Sequence, residues 1–425
     1  MRGTPSPRRY SLAVSFHPSA ARAVPAAPPS GKVRPAFIVQ AGLIGSAVAI
    51  YLIVLGAAGL RHQDLDAYLA AARDIWHGAP LYAAFLHHPF PDPTLRPAFI
   101  YPPAFALLIA PLGLLPDALA GVIWLLICQT SLIAALALVL RWRKPTSWAM
   151  TALVVATFTF YPLWIDVAQG QANLPIVLLV TIGVVGIVQG RPRFGAALGV
   201  AAALKLTPII LLVWLLLDRR FRAVGWMVGA FAAVGGVGAL FRFHDTIAFI
   251  GQVLPALAPG TAFYANQSLS SILTRVSVEN PYTQPWIDIP WAFVLPAAAG
   301  ILLIGLWFWR THRQPALTRC AAFIPLIPLL SSVTWPHHLV VLLPVIWLSA
   351  IALAQREWPV IPTVTLASLL FAFSVLSRYP AGPAYGQAGY RDAQTQDPIV
   401  FVASNALFFG TLMLFLFAPW LLRSR

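Results

Sequence analysis

Residues 102–115 read Pro-Pro-Ala-Phe-Ala-Leu-Leu-Ile-Ala-Pro-Leu-Gly-Leu-Leu, and whether they cross a bilayer sets the sidedness of everything after them. As one unbroken helix the run would rise only about 21 Å, against a hydrocarbon core of roughly 30 Å. Pro111 and Gly113 interrupt it, so any helix here kinks or ends early. A second interfacial or re-entrant helix is therefore expected, not a crossing.

Around this run, apolar stretches of bilayer length recur. The chain is 59% hydrophobic and only 10% charged, with a mean hydropathy of +0.77. A soluble protein of 425 residues would need far more charge to cover its surface. The expected class is an all-α polytopic membrane protein. Crossings are predicted near 37–60, 118–140, 147–163, 173–189, 223–241, 291–309, 320–334, 338–354, 359–377 and 398–420. The stretch 194–217 carries Lys205-Leu206-Thr207-Pro208 at its centre and basic residues at both ends. It reads as two half-helices or two short spans, entering and leaving on the inside. About 12 membrane segments result.

Charge placement tests this topology. With 102–115 kept out of the membrane, 20 of the 28 Lys and Arg fall on one side and 11 of the 13 acids on the other. That is the positive-inside pattern. It accounts for the net charge of +15 without nucleic acid. If 102–115 crossed, Arg141, Arg143 and Lys144 would move to the outer side. Both termini are expected in the cytoplasm. Residues 1–36 carry six basic residues and no acid and read as a disordered cytoplasmic tail. Residues 37–425 form a single transmembrane domain, with a first outer loop at 61–117 and a second large one at 242–290. Cys128 and Cys320 have no metal-ligand spacing and are assigned to packing.

The outer segments hold an unusual set of polar groups: Asp64, Asp66, Asp166, Gln171, Asn173, Asn266, Gln267, Arg275, His337, His338 and Arg378. Leu65, Tyr68, Leu69, Ala72, Ile75 and Trp76 fall at helical spacing, which predicts an amphipathic interfacial helix bearing Asp64 and Asp66. Either acid could serve as a general base, or both could complement the helix dipole. Asp166 reads as a loop residue. Lys205, within an apolar stretch, is a functional candidate or bonds the carbonyls that Pro208 frees. Adjacent His337 and His338 make a poor metal pair but suit phosphate binding or proton shuttling. Asn266, with Arg275 nearby, could hold a sugar or phosphate. Gln171 and Asn173 could cap the next helix.

Taken together, Asp64-Leu-Asp-Ala-Tyr68, Gly78-Ala-Pro-Leu-Tyr82, Tyr101-Pro-Pro103, Gly170-Gln-Ala-Asn173, Lys205-Leu-Thr-Pro208, Asn266-Gln-Ser268 with Arg275, and Trp335-Pro-His-His338 form an ordered set. The set resembles glycosyltransferase family 87. That resemblance implies a GT-C-like fold, an active site on the outer face and a polyprenyl-phosphate-linked mannose as donor. It implies catalytic Asp64, four residues before Tyr68, with Asp66 as the alternate. It places His338, or His337, near the donor phosphate, and Lys205, Arg275, Asn266, Gln171, Asn173 and Tyr101 around the donor.

The expected activity is an inverting transfer of a hexose, mannose first, from a polyprenyl-phosphate donor to a hydroxyl of a lipid or glycan acceptor. The expected place is a bacterial plasma membrane, with the site facing the periplasm. No cofactor is called for, and a divalent ion stays open. The competing reading is a transporter or lipid-linked-sugar flippase, which would place charges deep in several spans.

Overall fold

A computed structural model describes residues 35–58, 63–87, 98–289, 291–376 and 395–423. The expected basic tail up to residue 34, the prolines between 89 and 97, and Arg378 lie outside the described residues.

Every regular element among the described residues is helical. Helix α1 (Pro35–Ala58) leads to α2 (Gln63–His77), which carries Asp64 and Asp66 in its first turn. Gly78, at φ +67°, ends α2 in the left-handed region that favours glycine. A short α3 (Ala83–His87) follows. The deciding run forms α4 (Pro103–Ile109) and then a 3-10 turn, Ala110–Leu114. It is broken ahead of Pro111, as its prolines require. Gly113 admits close packing of α2, since a Cβ there would lie 2.9 Å from the Ala72 backbone.

Helix α5 (Asp117–Arg143) is continuous. Next, α6 (Ser147–Phe158) and α7 (Tyr161–Gln169) meet at a 48° bend. Asp166 therefore lies on a helix and is buried, not in the loop expected for it. Pro162 at the start of α7 explains the bend: it has no N–H to continue the α6 ladder, yet fits the first turn of a new helix. Helix α8 (Asn173–Val188) runs back. The expected half-helices are present as α9 (Gly195–Leu204) and α10 (Leu211–Leu217), with a 3-10 turn at Thr207–Ile210.

After α11 (Phe221–Phe241), the second large loop is itself helical: α12 (Phe243–Ala248), a π turn at Phe249–Val253, α13 (Leu254–Leu257) and α14 (Leu269–Ser277). Then come α15 (Leu295–Thr311), α16 (Ala316–Phe323) and α17 (Leu326–Leu330). A 3-10 turn, Pro336–Leu342, feeds α18 (Leu343–Gln355). Helices α19 (Val360–Ser374), α20 (Pro398–Ser404) and α21 (Ala406–Leu421) complete the described chain.

Among the described residues, five helices are long and apolar enough to cross a membrane, or seven if each of two bent pairs is one span. About twelve segments were expected. The difference has a physical source. Pro208 and Pro325 break apolar runs into helices too short to meet a bilayer's length alone. Such pieces persist only where neighbours satisfy the freed backbone groups.

The bundle has two chemically different ends. At one, Arg143 donates to Gln355 (3.5 Å), Arg356 to the Leu421 carbonyl (2.7 Å) and Arg220 to the Ile187 carbonyl (3.1 Å). There Arg319 also pairs with Asp218 through Nε at 2.7 Å. Basic residues of four separate segments thus gather at this end. Helices α5, α8 and α18 run from it to the other end, where the polar groups singled out above lie. Gly195 and Gly199 let α9 press against α11, because a Cβ at either would run into the Ala223 or Met227 carbonyl oxygen.

Gly199→Ala is therefore expected to lower the unfolding temperature of the detergent-solubilised protein, at a cost of about 1–3 kcal/mol. Gly229→Ala, where nothing lies within 4 Å, is the control. Equal thermal unfolding of the two would show that the close approach contributes nothing.

Candidate active site

The site is built around one turn. Gly170 adopts φ +67° and closes α7. The Trp124 indole N–H holds its carbonyl at 2.7 Å. This tight reversal sends Gln171 toward α2 and leaves Asn173 at the head of α8. No side chain caps α8, so Gln171 and Asn173 are not the capping pair the sequence allowed. Both amides are committed elsewhere.

Gln171 donates through Nε2 to Asp64 Oδ2 at 2.5 Å. Its Oε1 lies 3.0 Å from the hydroxyls of both Tyr68 and Tyr101, which are 2.8 Å from each other. Asp64 and Tyr68 stand four residues apart on one face of α2, as helical spacing dictates. Asp66 turns away and is exposed. The structure thereby separates the two acids: Asp64 lines the central cavity and Asp66 does not. Burial raises the Asp64 carboxyl above its ordinary range, while the Gln171 N–H and the charge of Lys205 pull it back down.

Lys205 follows the last residue of α9 in an extended conformation. Its ammonium donates to Asn173 Oδ1 at 2.5 Å and to the Tyr101 hydroxyl at 3.1 Å, and it lies 5.1 Å from the centre of the Tyr101 ring. Asn173 in turn donates to Asp166 Oδ1 at 2.7 Å and to the His337 carbonyl at 3.2 Å. The expectation that Lys205 might bond carbonyls freed by Pro208 gives way to this network. A lysine buried in a bundle needs hydrogen-bond partners of this kind. Asp166 is the residue whose importance the sequence hid. It reads as a loop acid because the bend at Phe160 and Tyr161 conceals the helix that buries it.

His337 and His338 enter from the 336–342 turn, which packs against α7. His338 Nδ1 accepts the Trp335 backbone N–H at 3.3 Å. In the neutral ring that leaves Nε2 to donate. Neither ring nitrogen of His337 has a hydrogen-bond partner among the described residues, although the residue is 3% exposed. Both histidines line the same cavity as Asp64, Tyr101, Gln171 and Lys205.

The cavity holds about 1060 Å³, at the upper end for ligand sites. Ile210, Phe249, Leu254, Leu257 and Leu330 give it an apolar wall. A carboxylate, an ammonium and two imidazoles therefore face one large amphipathic space. Such an arrangement suits a long apolar molecule with a charged head, and is oversized for an ion.

Asn173 stands behind the cavity, bonded to Lys205, and two more candidates fall elsewhere. Arg275 is 1% exposed and donates to the carbonyls of Ala262 (2.9 Å), Phe263 (2.6 Å) and Asn266 (2.7 Å) and to Asn405 Oδ1. Asn266 is fully buried and ties the 261–268 loop to the carbonyl of Ser332 and the N–H of Thr334. Neither lines the cavity. They hold the loop that presents Phe263, Tyr264 and Gln267 to it.

The family model for glycosyltransferase family 87 matches residues 99–332, a range that takes in Tyr101, Gln171, Asn173 and Lys205 but neither Asp64 nor the histidines. Among curated proteins, the chain is 30% identical to a polyprenol-phosphate-mannose-dependent alpha-(1-2)-phosphatidylinositol pentamannoside mannosyltransferase of Mycobacterium tuberculosis (strain CDC 1551 / Oshkosh), over 79% of this chain and 76% of that protein. It is 29% identical to a polyprenol-phosphate-mannose-dependent alpha-(1-2)-phosphatidylinositol mannoside mannosyltransferase of Mycobacterium tuberculosis (strain ATCC 25618 / H37Rv), over 74% and 75%. It is also 30% identical to an alpha-(1->3)-arabinofuranosyltransferase from the CDC 1551 / Oshkosh strain, over 57% and 56%. No solved structure matches the chain.

Arg275→Met is expected to destabilise the fold by about 3 kcal/mol or more, because it strands several buried carbonyls. Thermal unfolding in detergent reads this. Unfolding at the wild-type temperature would return Arg275 to the list of ligand-binding groups.

Proposed function

We propose that this chain, which belongs to glycosyltransferase family 87, transfers mannose from a polyprenyl-phosphate donor to a hydroxyl of a lipid or glycan acceptor, with inversion at the anomeric carbon. The observation that carries this reading is the single cavity in which Asp64 faces Lys205 and the two histidines beside an apolar wall. The apolar wall suits the polyprenyl tail. Lys205, His338 and His337 suit the phosphate. Asp64 takes the proton of the acceptor hydroxyl as its oxygen attacks the anomeric carbon. The bond from that carbon to the phosphate oxygen breaks, and the polyprenyl phosphate leaves with its negative charge facing the ammonium and imidazole donors.

Gln171 sets the direction of the base. By holding Oδ2 it leaves Oδ1 of Asp64 for the substrate proton. Tyr68 and Tyr101 hold Gln171 in turn, and Tyr101 connects this group to Lys205. The mannose donor is favoured by the names of the relatives, which are mannosyltransferases dependent on polyprenol-phosphate-mannose.

The two ends of the bundle support one membrane arrangement. The basic end is cytoplasmic by the positive-inside rule, which puts both termini there and the cavity toward the periplasm of a bacterial plasma membrane. In this GT-C-like arrangement the shorter apolar helices also serve as membrane segments, and α9 with α10 forms a re-entrant pair whose tip delivers Lys205.

Asp64→Asn keeps the size of the side chain and removes the base. It is expected to cut transfer from radiolabelled polyprenyl-phosphate mannose by about 10²–10⁴-fold, while Asp66→Asn stays near wild type. Wild-type turnover by Asp64→Asn sinks the mechanism, and movement of intact lipid between leaflets without turnover identifies a flippase instead. The pH dependence has a defined sign. The base form exists above the Asp64 pKa, so transfer falls as pH drops through it. Because burial lifts that pKa, the acid limb of kcat is expected above the ordinary aspartate value of about 3.9. An acid limb at or below that value would remove burial as the influence on the base.

A further inference from the structure

Where this fold sets an arginine beside a buried acid, the two meet directly: Arg319 with Asp218, and Arg242 with Asp245. Lys205 departs from this habit. No carboxylate among the described residues pairs with its ammonium. The buried acid behind it, Asp166, stands one amide away. Asn173 fills the gap. Its Oδ1 accepts from Lys205 at 2.5 Å, and its Nδ2 donates to Asp166 Oδ1 at 2.7 Å and to the His337 carbonyl at 3.2 Å. The direction of the amide is fixed from both sides, since an ammonium can only donate and a carboxylate can only accept. Asp166 Oδ2 has no hydrogen-bond partner among the described residues, so Asn173 is the link between this carboxylate and the site. Asp166 and Asn173 are both buried, and neither lines the cavity, whereas Lys205 does.

We propose that Asp166 and Asn173 are positioning residues that leave the Lys205 ammonium free to meet the donor phosphate: the carboxylate balances the charge from behind, and the amide keeps the carboxylate from closing on it. This rests on the glycosyl-transfer reading, in which Lys205 faces the phosphate, and adds how that charge is kept available. An ammonium has three N–H groups. Asn173 and Tyr101 take two of them. No described residue takes the third, and the residue lines the cavity. A carboxylate in direct contact would claim that N–H and cancel much of the charge a phosphate feels, because opposite charges at contact act outward as a dipole. Set one amide back, Asp166 still offsets the burial of the ammonium, while the positive end stays toward the cavity. The same amide holds the His337 carbonyl, so one side chain registers the lysine against the turn that carries both histidines.

The test measures binding of farnesyl phosphate, and of farnesol as its phosphate-free counterpart, to the full chain in detergent, with thermal unfolding recorded beside it. Wild-type protein is expected to prefer the phosphate. Asp166→Asn keeps the shape of the side chain and removes the counter-charge. It is expected to weaken farnesyl phosphate about tenfold, the equivalent of one charge-assisted hydrogen bond, and to leave farnesol unchanged. The exchange variant Asp166→Asn/Asn173→Asp keeps the net charge but sets a carboxylate directly on Lys205. It is expected to unfold near the wild-type temperature and still to bind farnesyl phosphate about tenfold more weakly. Wild-type phosphate affinity in the exchange variant overturns the proposal, because any nearby counter-charge would then serve. Wild-type phosphate affinity in Asp166→Asn overturns it too, and decides the matter alone if the exchange variant does not fold. An equal loss for farnesol and farnesyl phosphate makes both residues mere supports of the cavity and overturns it as well. Wild-type protein that binds the two lipids alike removes the phosphate from the cavity, which sinks the parent reading and the proposal with it.

Discussion

A lysine ammonium inside an apolar bundle constrains everything near it. Lys205 is 7% exposed, and a charge so placed must find partners or the fold is lost. It finds Asn173 and Tyr101. Asn173 is shared with buried Asp166, and Tyr101 is shared with Gln171, which holds Asp64. One cation thus ties together α7, α8, the connection between α9 and α10, and the segment around Tyr101. The chain of hydrogen bonds that satisfies the lysine is the same chain that holds the Asp64 carboxylate. A single network meets the needs of stability and of chemistry, and a defect in it should disturb both.

The opposite end of the bundle answers a different need. There the charges serve to close helix ends and pair across segments: Arg319 with Asp218, Arg356 with the last carbonyls of α21, Arg220 with the end of α8. Charge on that side sits at the ends of helices, where donors meet orphan carbonyls. On the site side, charge is drawn inward to a cavity. The asymmetry separates this chain from a carrier, whose ionisable groups would be spread through the depth of several spans.

Much of this was legible along the chain because its signals are local. The break at Pro111, the half-helices about Lys205-Leu-Thr-Pro208 and the gathering of basic segments at one end all follow from proline, helical length and charge. Asp64, Gln171, Lys205, Tyr101 and the two histidines were candidates from the start, and the fold brings them to one cavity, with Asn173 bonded to Lys205 behind it. Asp166 was not legible as a buried partner. Its helix starts at a bend, and its neighbour in space is Asn173, one turn of chain and a reversal away. Arg275 and Asn266 were misleading for the converse reason. A polar side chain in an outer loop looks the same in sequence whether it faces a ligand or closes the loop on itself.

By itself, then, the sequence determined the apolar helical class, the segregation of basic segments and the residue types available for acid–base and phosphate chemistry, since these depend on composition, spacing and charge counted along one dimension. Only the tertiary structure placed Asp64 and not Asp66 on the cavity, gave Lys205 its partners and withdrew Arg275 from the cavity. Each of those outcomes turns on which face of a helix meets which neighbour, and that is settled by packing among segments far apart in the chain.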